Sequence, residues 1–307
     1  MKLYTAAVYS NNFMANQSRY EFLNEFERQV LGKLPNILES YHYVNKVKYV
    51  ESMRKNNAKI FLDSGAFSAY TLNTKIYLAE YCNFIKNNLD VIKIEEGVLL
   101  ASVLDDIKSP LKTYQNQLAM ERLNIKPLPC FHLGEDPRYL EYYIANYNYI
   151  TIGGMLKYST AQLIELLDTL WEHYLVGNNG FPKLKIHGFG ITNFSIVERY
   201  PWHSVDSSSW VQAASFGNIV TPKFGNIAIS NNLKSKHIQG QHASTLTEIE
   251  KKALYNYLEN NGFNYERLCT SHESRATFNL WAYGVLQNSI NAEKALVFKA
   301  HAQKLFL

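Results

Sequence analysis

Lys59-Ile60-Phe61-Leu62-Asp63-Ser64-Gly65-Ala66-Phe67 decides how the rest of the chain is read. Its apolar β-rich run stops at an acid, and a Ser-Gly turn follows. A stretch with helical spacing then covers residues 75–88. The same grammar recurs on both sides. β-rich runs fall at residues 3–9, 59–63, 91–94, 126–132, 147–152, 183–187 and 203–206, with a weaker one at 226–230. Helical spacing fills residues 19–34, 75–88, 111–123, 138–147 and 161–175, and more briefly 193–200. Strands alternating with helices imply an α/β protein with a mostly parallel sheet. About eight such strands predict a (β/α)8 TIM-type barrel. An open doubly wound sheet is the second choice, disfavoured because no Gly-x-Gly-x-x-Gly follows the first strand.

The barrel reading treats residues 1–307 as one domain. Residues 1–230 form the main barrel with its catalytic rim, and residues 231–307 form a loop and a helical C-terminal region that closes or flanks it. In that region residues 246–260 and 278–307 read as long helices, and the Asn-, Ser-, His- and Lys-rich stretch 231–244 as a loop.

Composition narrows the class. The chain has 307 residues, 47% of them hydrophobic and 19% charged, with 22 Tyr and 16 Phe. This is a core-forming composition and excludes a disordered chain. A net charge of +4 permits an anionic partner without requiring one. Cys82, Cys130 and Cys269 are too few for a disulfide framework and read as thiols of a cytoplasmic protein. No signal-length apolar stretch opens the sequence, and no run reaches the ~18 apolar residues of a membrane span.

The polar residues collect where the strands end. Besides Asp63, acids follow an apolar run at Val103-Leu104-Asp105-Asp106, and Pro129-Cys130-Phe131-His132 ends in histidine. Ile152-Gly153-Gly154 ends in paired glycines, His187-Gly188-Phe189-Gly190 in histidine and a Gly-x-Gly turn, and Val205-Asp206-Ser207 in an acid and a serine. Each has a structural explanation by itself. An Asp after a strand commonly caps a helix, and glycines there make tight turns. Six strands delivering such residues at one end point to a shared rim, where active sites of parallel barrels sit. Zinc-protease, Walker and nucleophile-elbow motifs are missing from the sequence. What remains is carboxylates with aromatics nearby. Two close carboxylates, one nucleophilic and one shuttling a proton, suit displacement at an anomeric carbon.

In this order the motifs resemble those of the tRNA-guanine (queuine) transglycosylases. Asp63-Ser64-Gly65-Ala66-Phe67 resembles their Asp-Ser-Gly-Gly-Phe/Tyr signature, and Leu104-Asp105 their Phe-Asp. Ile152-Gly153-Gly154-Met155 resembles their Ile-Gly-Gly-Leu. His187-Gly188-Phe189-Gly190 followed by Val205-Asp206 resembles Met-Gly-Val-Gly followed by Phe-Asp. The resemblance spans residues 59–210, and residues 127–155 look most like short phage-type members, some of which insert 7-deazaguanines into DNA.

It implies a (β/α) barrel that exchanges guanine in a polynucleotide for a 7-deazaguanine through a covalent intermediate. Asp206 would be the nucleophile and Asp63 the general acid/base. Asp105 and His132 would read the base edge, with Ser64, Gly153, Gly154 and Met155 lining the base. Phe67 and His187 would sandwich it. A basic rim of Lys157, Lys223, Lys234, Lys236 and Arg275 would hold phosphates. The target base must leave its stack to enter. DNA is the favoured polymer and tRNA the alternative, and the oligomeric state and any partner protein stay open.

The family's structural zinc needs four ligands, whereas only Cys269 and His272 lie close together here, so no metal or cofactor is expected. Leu156-Lys157-Tyr158 supplies no acid after the Gly-Gly motif, which favours a neutral nitrile- or amide-bearing base over a cationic one. Two other readings remain: a non-catalytic partner subunit of the same family, and a nucleoside or glycoside hydrolase on the same scaffold.

Overall fold

The computed structural model describes residues 1–34, 36–191, 193–232, 242–293 and Phe298. Contacts divide the chain into two compact units. The first holds Met1–Ala7, Asn36–Ser207 and the described residues from Ile290 onward; the second holds Val8–Pro35 and Ser208–Ser289. The boundary drawn at residue 230 from the sequence is therefore replaced by a crossing at Ser207/Ser208, and residues 8–35 are an excursion out of the first unit.

The strands are β1 (Lys2–Ala6), β2 (Ile37–Ser40), β3 (Ile60–Asp63), β4 (Ile94–Glu95), β5 (Val98–Leu99), β6 (Cys130–His132), β7 (Tyr149–Gly153), β8 (Lys185–Gly188), β9 (Ser204–Ser207), β10 (Asn218–Thr221) and β11 (Gly225–Ala228). In the first unit seven of them form a curled sheet in the order β3-β2-β1-β9-β8-β7-β6, and every pairing is parallel. The register sets Ser40 beside Asp63, His132 beside Gly153, His187 beside Ser204 and Tyr4 beside Asp206. Between the outer strands β3 and β6 runs the segment 100–103. Leu62 N–H donates to Leu100 O, Ser102 N–H to Leu62 O, and Val103 N–H to Leu128 O, each at 2.9 Å.

The helices lie between the strands because their termini are specified locally. Ser109 and Pro110 open Pro110–Arg122, and Asp136 and Pro137 open Pro137–Asn146. Ser159 with Gln162 forms a capping box on Thr160–Leu170. Tyr4, Leu38, Phe61, Leu100, Leu128 and Tyr149 pack together, each from a different strand or strand-like segment. Interleaved apolar side chains of this kind fill the concave side of a curled parallel sheet.

The strand expected at 226–230 is not part of this sheet. β11 pairs antiparallel with β10 in the second unit. Only three residues separate the two strands, too few for the crossover a parallel pairing needs. The run expected at 91–94 is not a strand of this sheet either, since β4 pairs antiparallel with β5; the sheet strand that the sequence reading lacked is β2, a four-residue run interrupted by the buried Glu39. In the second unit Ile219, Ile227 and Ile229 of the hairpin region pack with Leu254, Leu258 and Phe278 of helices Glu248–Asn260 and His272–Glu293. Among the described residues, no helix is long and apolar enough to cross a membrane.

Charges gather at the N-terminal ends of the parallel strands. Glu95, 9% exposed, pairs with Lys2 at the start of β1, and its Oε1 accepts from His203 Nε2 at 2.8 Å just before β9. Burial works against the Glu95 carboxylate, but the bonds from Lys2 and His203 outweigh it and lower its pKa. A lowered carboxylate contributes stability that is present above its unfolded value, near 4.5, and is lost as pH falls through the folded value. Glu95→Gln is expected to cost about 2 kcal/mol at pH 7 and less at pH 3.5. Urea denaturation of both proteins at the two pH values checks this, and equal losses at both would refute it.

Candidate active site

Because the seven strands are parallel, their C-terminal ends share one edge, and there the first unit gathers its polar side chains. Asp63 is the last residue of β3. The turn after it depends on Gly65, whose φ of +78° is open to glycine and strained for other residues. A Cβ at Gly65 would lie 2.5 Å from both His42 Cβ and Ser40 Oγ. In this turn the Gly65 N–H donates to Asp63 Oδ2 at 2.9 Å. Gly65→Ala is therefore expected to cost about 3 kcal/mol in strain and overpacking and to displace the Asp63 carboxyl. Chemical denaturation measures the first effect, and a stability within 1 kcal/mol of the parent would contradict it.

Asp63 is surrounded by other acids. Burial is the largest influence on it, and the charges of Asp105 and Asp206 add to it, raising its pKa from 3.8 to about 7; bonds from Gly65 and Ser40 only partly oppose this. Asp63 thus holds a proton near neutrality, as a general acid requires. That Asp206 acts electrostatically on Asp63 also places the two acids in one neighbourhood, although 143 positions of sequence separate them.

Asp206, on β9, is buried. Its Oδ1 accepts from the Gly190 N–H at 2.9 Å and lies 3.3 Å from His187 Nε2. His187 Nδ1 is 2.8 Å from Ser204 Oγ, which is 2.7 Å from the Tyr149 hydroxyl. This chain of bonds fixes the imidazole and with it the carboxylate. The sandwich role expected of His187 needs correcting. Its ring has 0% exposure and is enclosed by Phe61 and Phe189, with centroids at 4.6 and 4.8 Å, so no face is open to a base. His187 instead aims Asp206. Phe67, in helix Ala66–Thr71, is 50% exposed and has a surface on which a base could stack.

Asp105, His132 and Ser64 are directly linked. Ser64 Oγ donates to Asp105 Oδ1 at 2.7 Å. His132 Nε2 donates to Asp105 Oδ2 at 2.9 Å, and its Nδ1 to Glu135 Oε1 at 2.9 Å. Burial would strip the proton from this ring, but Cys130 and the carboxylates of Asp105 and Glu135 outweigh it and hold the imidazolium well above the usual histidine range. Ser64 is fully buried, so it positions Asp105 and does not meet a ligand. Gly153 is buried and its carbonyl is taken by the Leu133 N–H, and Met155 is buried behind the same turn. Gly154 exposes its backbone at φ +76°, where a Cβ would come within 3.1 Å of His132 Cβ.

The basic residues separate into groups. Lys157 is exposed over the Tyr158 ring, and the Tyr158 hydroxyl bonds to Leu133 O beside His132. Lys223 is exposed in the second unit, in the β10–β11 turn. Lys234 and Lys236 lie outside the described residues. Arg275 is corrected: it is 6% exposed and donates to the carbonyls of Ala214 and Leu268, so its guanidinium caps backbone and is closed to phosphate.

The sequence reading missed Ser40, Cys130, Glu135 and Gly190, and also Lys75, Lys108 and Lys112. Those three lysines line a cleft of about 440 Å³ together with Asp105, Tyr70 and Tyr77. The signal available for Lys108 and Lys112 was that they follow Asp105 closely, Lys112 in the first turn of Pro110–Arg122.

Cys269 is buried beside the Tyr265 hydroxyl, and neither it nor His272 joins a group of three potential ligands among the described residues. In comparisons with known proteins, the chain matches no family model and no curated protein.

Proposed function

We propose that the chain is a guanine transglycosylase, which exchanges guanine in a polynucleotide for a 7-deazaguanine base. The observation carrying this reading is the pair of coupled acids at one strand-end edge. Burial and the neighbouring acids raise the Asp63 pKa to about 7, so a substantial fraction keeps its proton near neutrality, and Asp206 is held by the Gly190 N–H and lies beside His187. In this reading the Asp206 carboxylate attacks C1′ as the bond from C1′ to the guanine nitrogen breaks. Guanine leaves with the proton of Asp63. The incoming base then gives a proton to Asp63, attacks C1′ and displaces Asp206. Retention at the sugar follows from two displacements.

The hydrogen-bonded Asp105–His132 pair supports base reading. Asp105, held by the Ser64 hydroxyl and by a His132 N–H, offers remaining acceptor capacity for the N–H donors of a guanine edge, while both His132 N–H groups are engaged by Asp105 and Glu135. Phe67 supplies stacking, and the lysines of the adjoining cleft supply attraction for phosphates. The seven-stranded sheet and the hydrogen bonds of segment 100–103 to β3 and to Leu128, just before β6, support the finer fold reading, a closed (β/α)8 barrel with that segment as its eighth stave. DNA is proposed as the polymer and tRNA as the alternative.

Incubation of the protein with labelled guanine and either DNA or tRNA tests the activity. Incorporation of label into one polymer is the expected result. Absence of label from both, or abasic sites without exchange, would overturn the reading, the latter in favour of a hydrolase.

A further inference from the structure

Cys130 has no part in the mechanism above, yet its thiol faces the site. Cys130 and His132 are two residues apart on β6, so their side chains leave the strand on the same face. Asp105 meets them there. One ligand atom from each of Asp105, Cys130 and His132 lies within 4.8 Å of the other two. His132 Nε2 is 2.9 Å from Asp105 Oδ2 and 3.7 Å from Cys130 Sγ. Ligands held ~2.0–2.3 Å from one tetrahedral ion are separated from each other by roughly 3.3–3.7 Å, so small adjustments would let these three share an ion.

Two further features fit such a centre. Glu135 Oε1 lies 2.9 Å from His132 Nδ1, the outer-shell carboxylate that turns the Nε2 lone pair of a ligating histidine inward. Gly153 keeps the space open, since a Cβ there would stand 3.0 Å from His132 Cδ2 and 3.6 Å from Cys130 Sγ.

We propose that Asp105, Cys130 and His132 form a binding site for a zinc-like divalent cation with one open coordination position. A thiolate, an imidazole and a carboxylate suit zinc or cobalt and are poor ligands for magnesium or calcium. Binding displaces one proton from the Cys130 thiol and one from the His132 ring. The freed sulfur and nitrogen lone pairs then bond to the ion. In the absence of an ion, the protonated ring bridges Asp105 and Glu135. The inference goes beyond the base-exchange reading. Because Asp105 and His132 would serve both ligands, ion and purine would compete for them.

The test is spectroscopic and needs no turnover, so its outcome is independent of whether the protein exchanges bases. The full chain, stripped with a chelator, is titrated with Co²⁺. A thiolate-to-cobalt charge-transfer band saturating at one equivalent is expected, and added Zn²⁺ should remove it. Cys130→Ser should abolish the band, while Cys82→Ser and Cys269→Ser should keep it. Glu135→Gln should weaken Co²⁺ affinity about 10-fold or more. No band in the parent protein, or a band persisting in Cys130→Ser, overturns the proposal. Should Cys130→Ser fail to fold, X-ray absorption on the zinc-loaded parent decides. One sulfur among nitrogen and oxygen ligands supports the site, and a shell without sulfur refutes it.

Discussion

Asp206→Asn is expected to eliminate base exchange, lowering the rate on the order of 10⁴-fold or more, and to eliminate the covalent protein–polynucleotide adduct. The amide keeps an oxygen to accept from the Gly190 N–H, so the β9 end stays in place while the nucleophilic charge is lost. The variant should therefore fold with nearly parental stability. A denaturing gel of protein incubated with labelled DNA or tRNA reads the adduct directly. A variant that still migrates with bound polymer would show that a different group attacks the sugar. His187→Phe gives a graded companion result. It removes the group 3.3 Å from Asp206 Oδ1 without touching the carboxylate, so it should slow exchange and leave some adduct.

Asp63→Asn is expected to change activity and stability in opposite directions. Without a proton donor for the departing guanine, exchange should fall about 10²- to 10⁴-fold. In the parent protein the first half-reaction should decline as pH rises through about 7, where Asp63 gives up its proton.

Stability follows from the same value. The folded pKa of about 7 lies above the ordinary 3.8, so between those values the folded chain keeps a proton that the unfolded chain has released. The stabilisation associated with that proton is complete below about pH 4 and is lost as pH rises to 7. That interval corresponds to ~4 kcal/mol, and solvent access to the partly buried carboxyl reduces it to about 2 kcal/mol. Asn has nothing to ionise, so the variant should exceed the parent in stability by about 2 kcal/mol at pH 8 and match it near pH 4. Thermal or urea unfolding at the two pH values measures this, and a variant less stable at pH 8 would refute it. A proposed active site that loses stability when one of its acids ionises would fit the usual trade of stability for function.

Much of this arrangement can be read along the chain. β3, β7, β8 and β9 stand out because apolar runs end in Asp, paired Gly, His-Gly and Asp, and the parallel sheet brings these endings to one edge. β2 escapes because four residues with a buried glutamate carry almost no periodic signal. The segment at 226–230 misleads because alternation alone cannot tell a hairpin arm from a sheet strand; the short turn with Gly225 decides that. The roles of His187 and Arg275 depend on burial, which is a property of neighbours. An arginine that caps two carbonyls and one that binds phosphate have the same sequence signature. The cluster around His132 was half visible. The histidine ends a strand, but Glu135 and Cys130 acquire meaning only when Asp105 meets them.

β1 lies in the interior of the sheet order, flanked by β2 and by β9, and Asp206 belongs to β9. During synthesis β1 emerges well before its second neighbour, which begins at residue 204. Until then one hydrogen-bonding edge of β1 stays unsatisfied, which favours late completion and leaves nascent fragments prone to stray strand pairing. The event that seals that edge also delivers Asp206, the proposed nucleophile, so fragments ending before residue 204 should be sticky and, on the proposed function, inert.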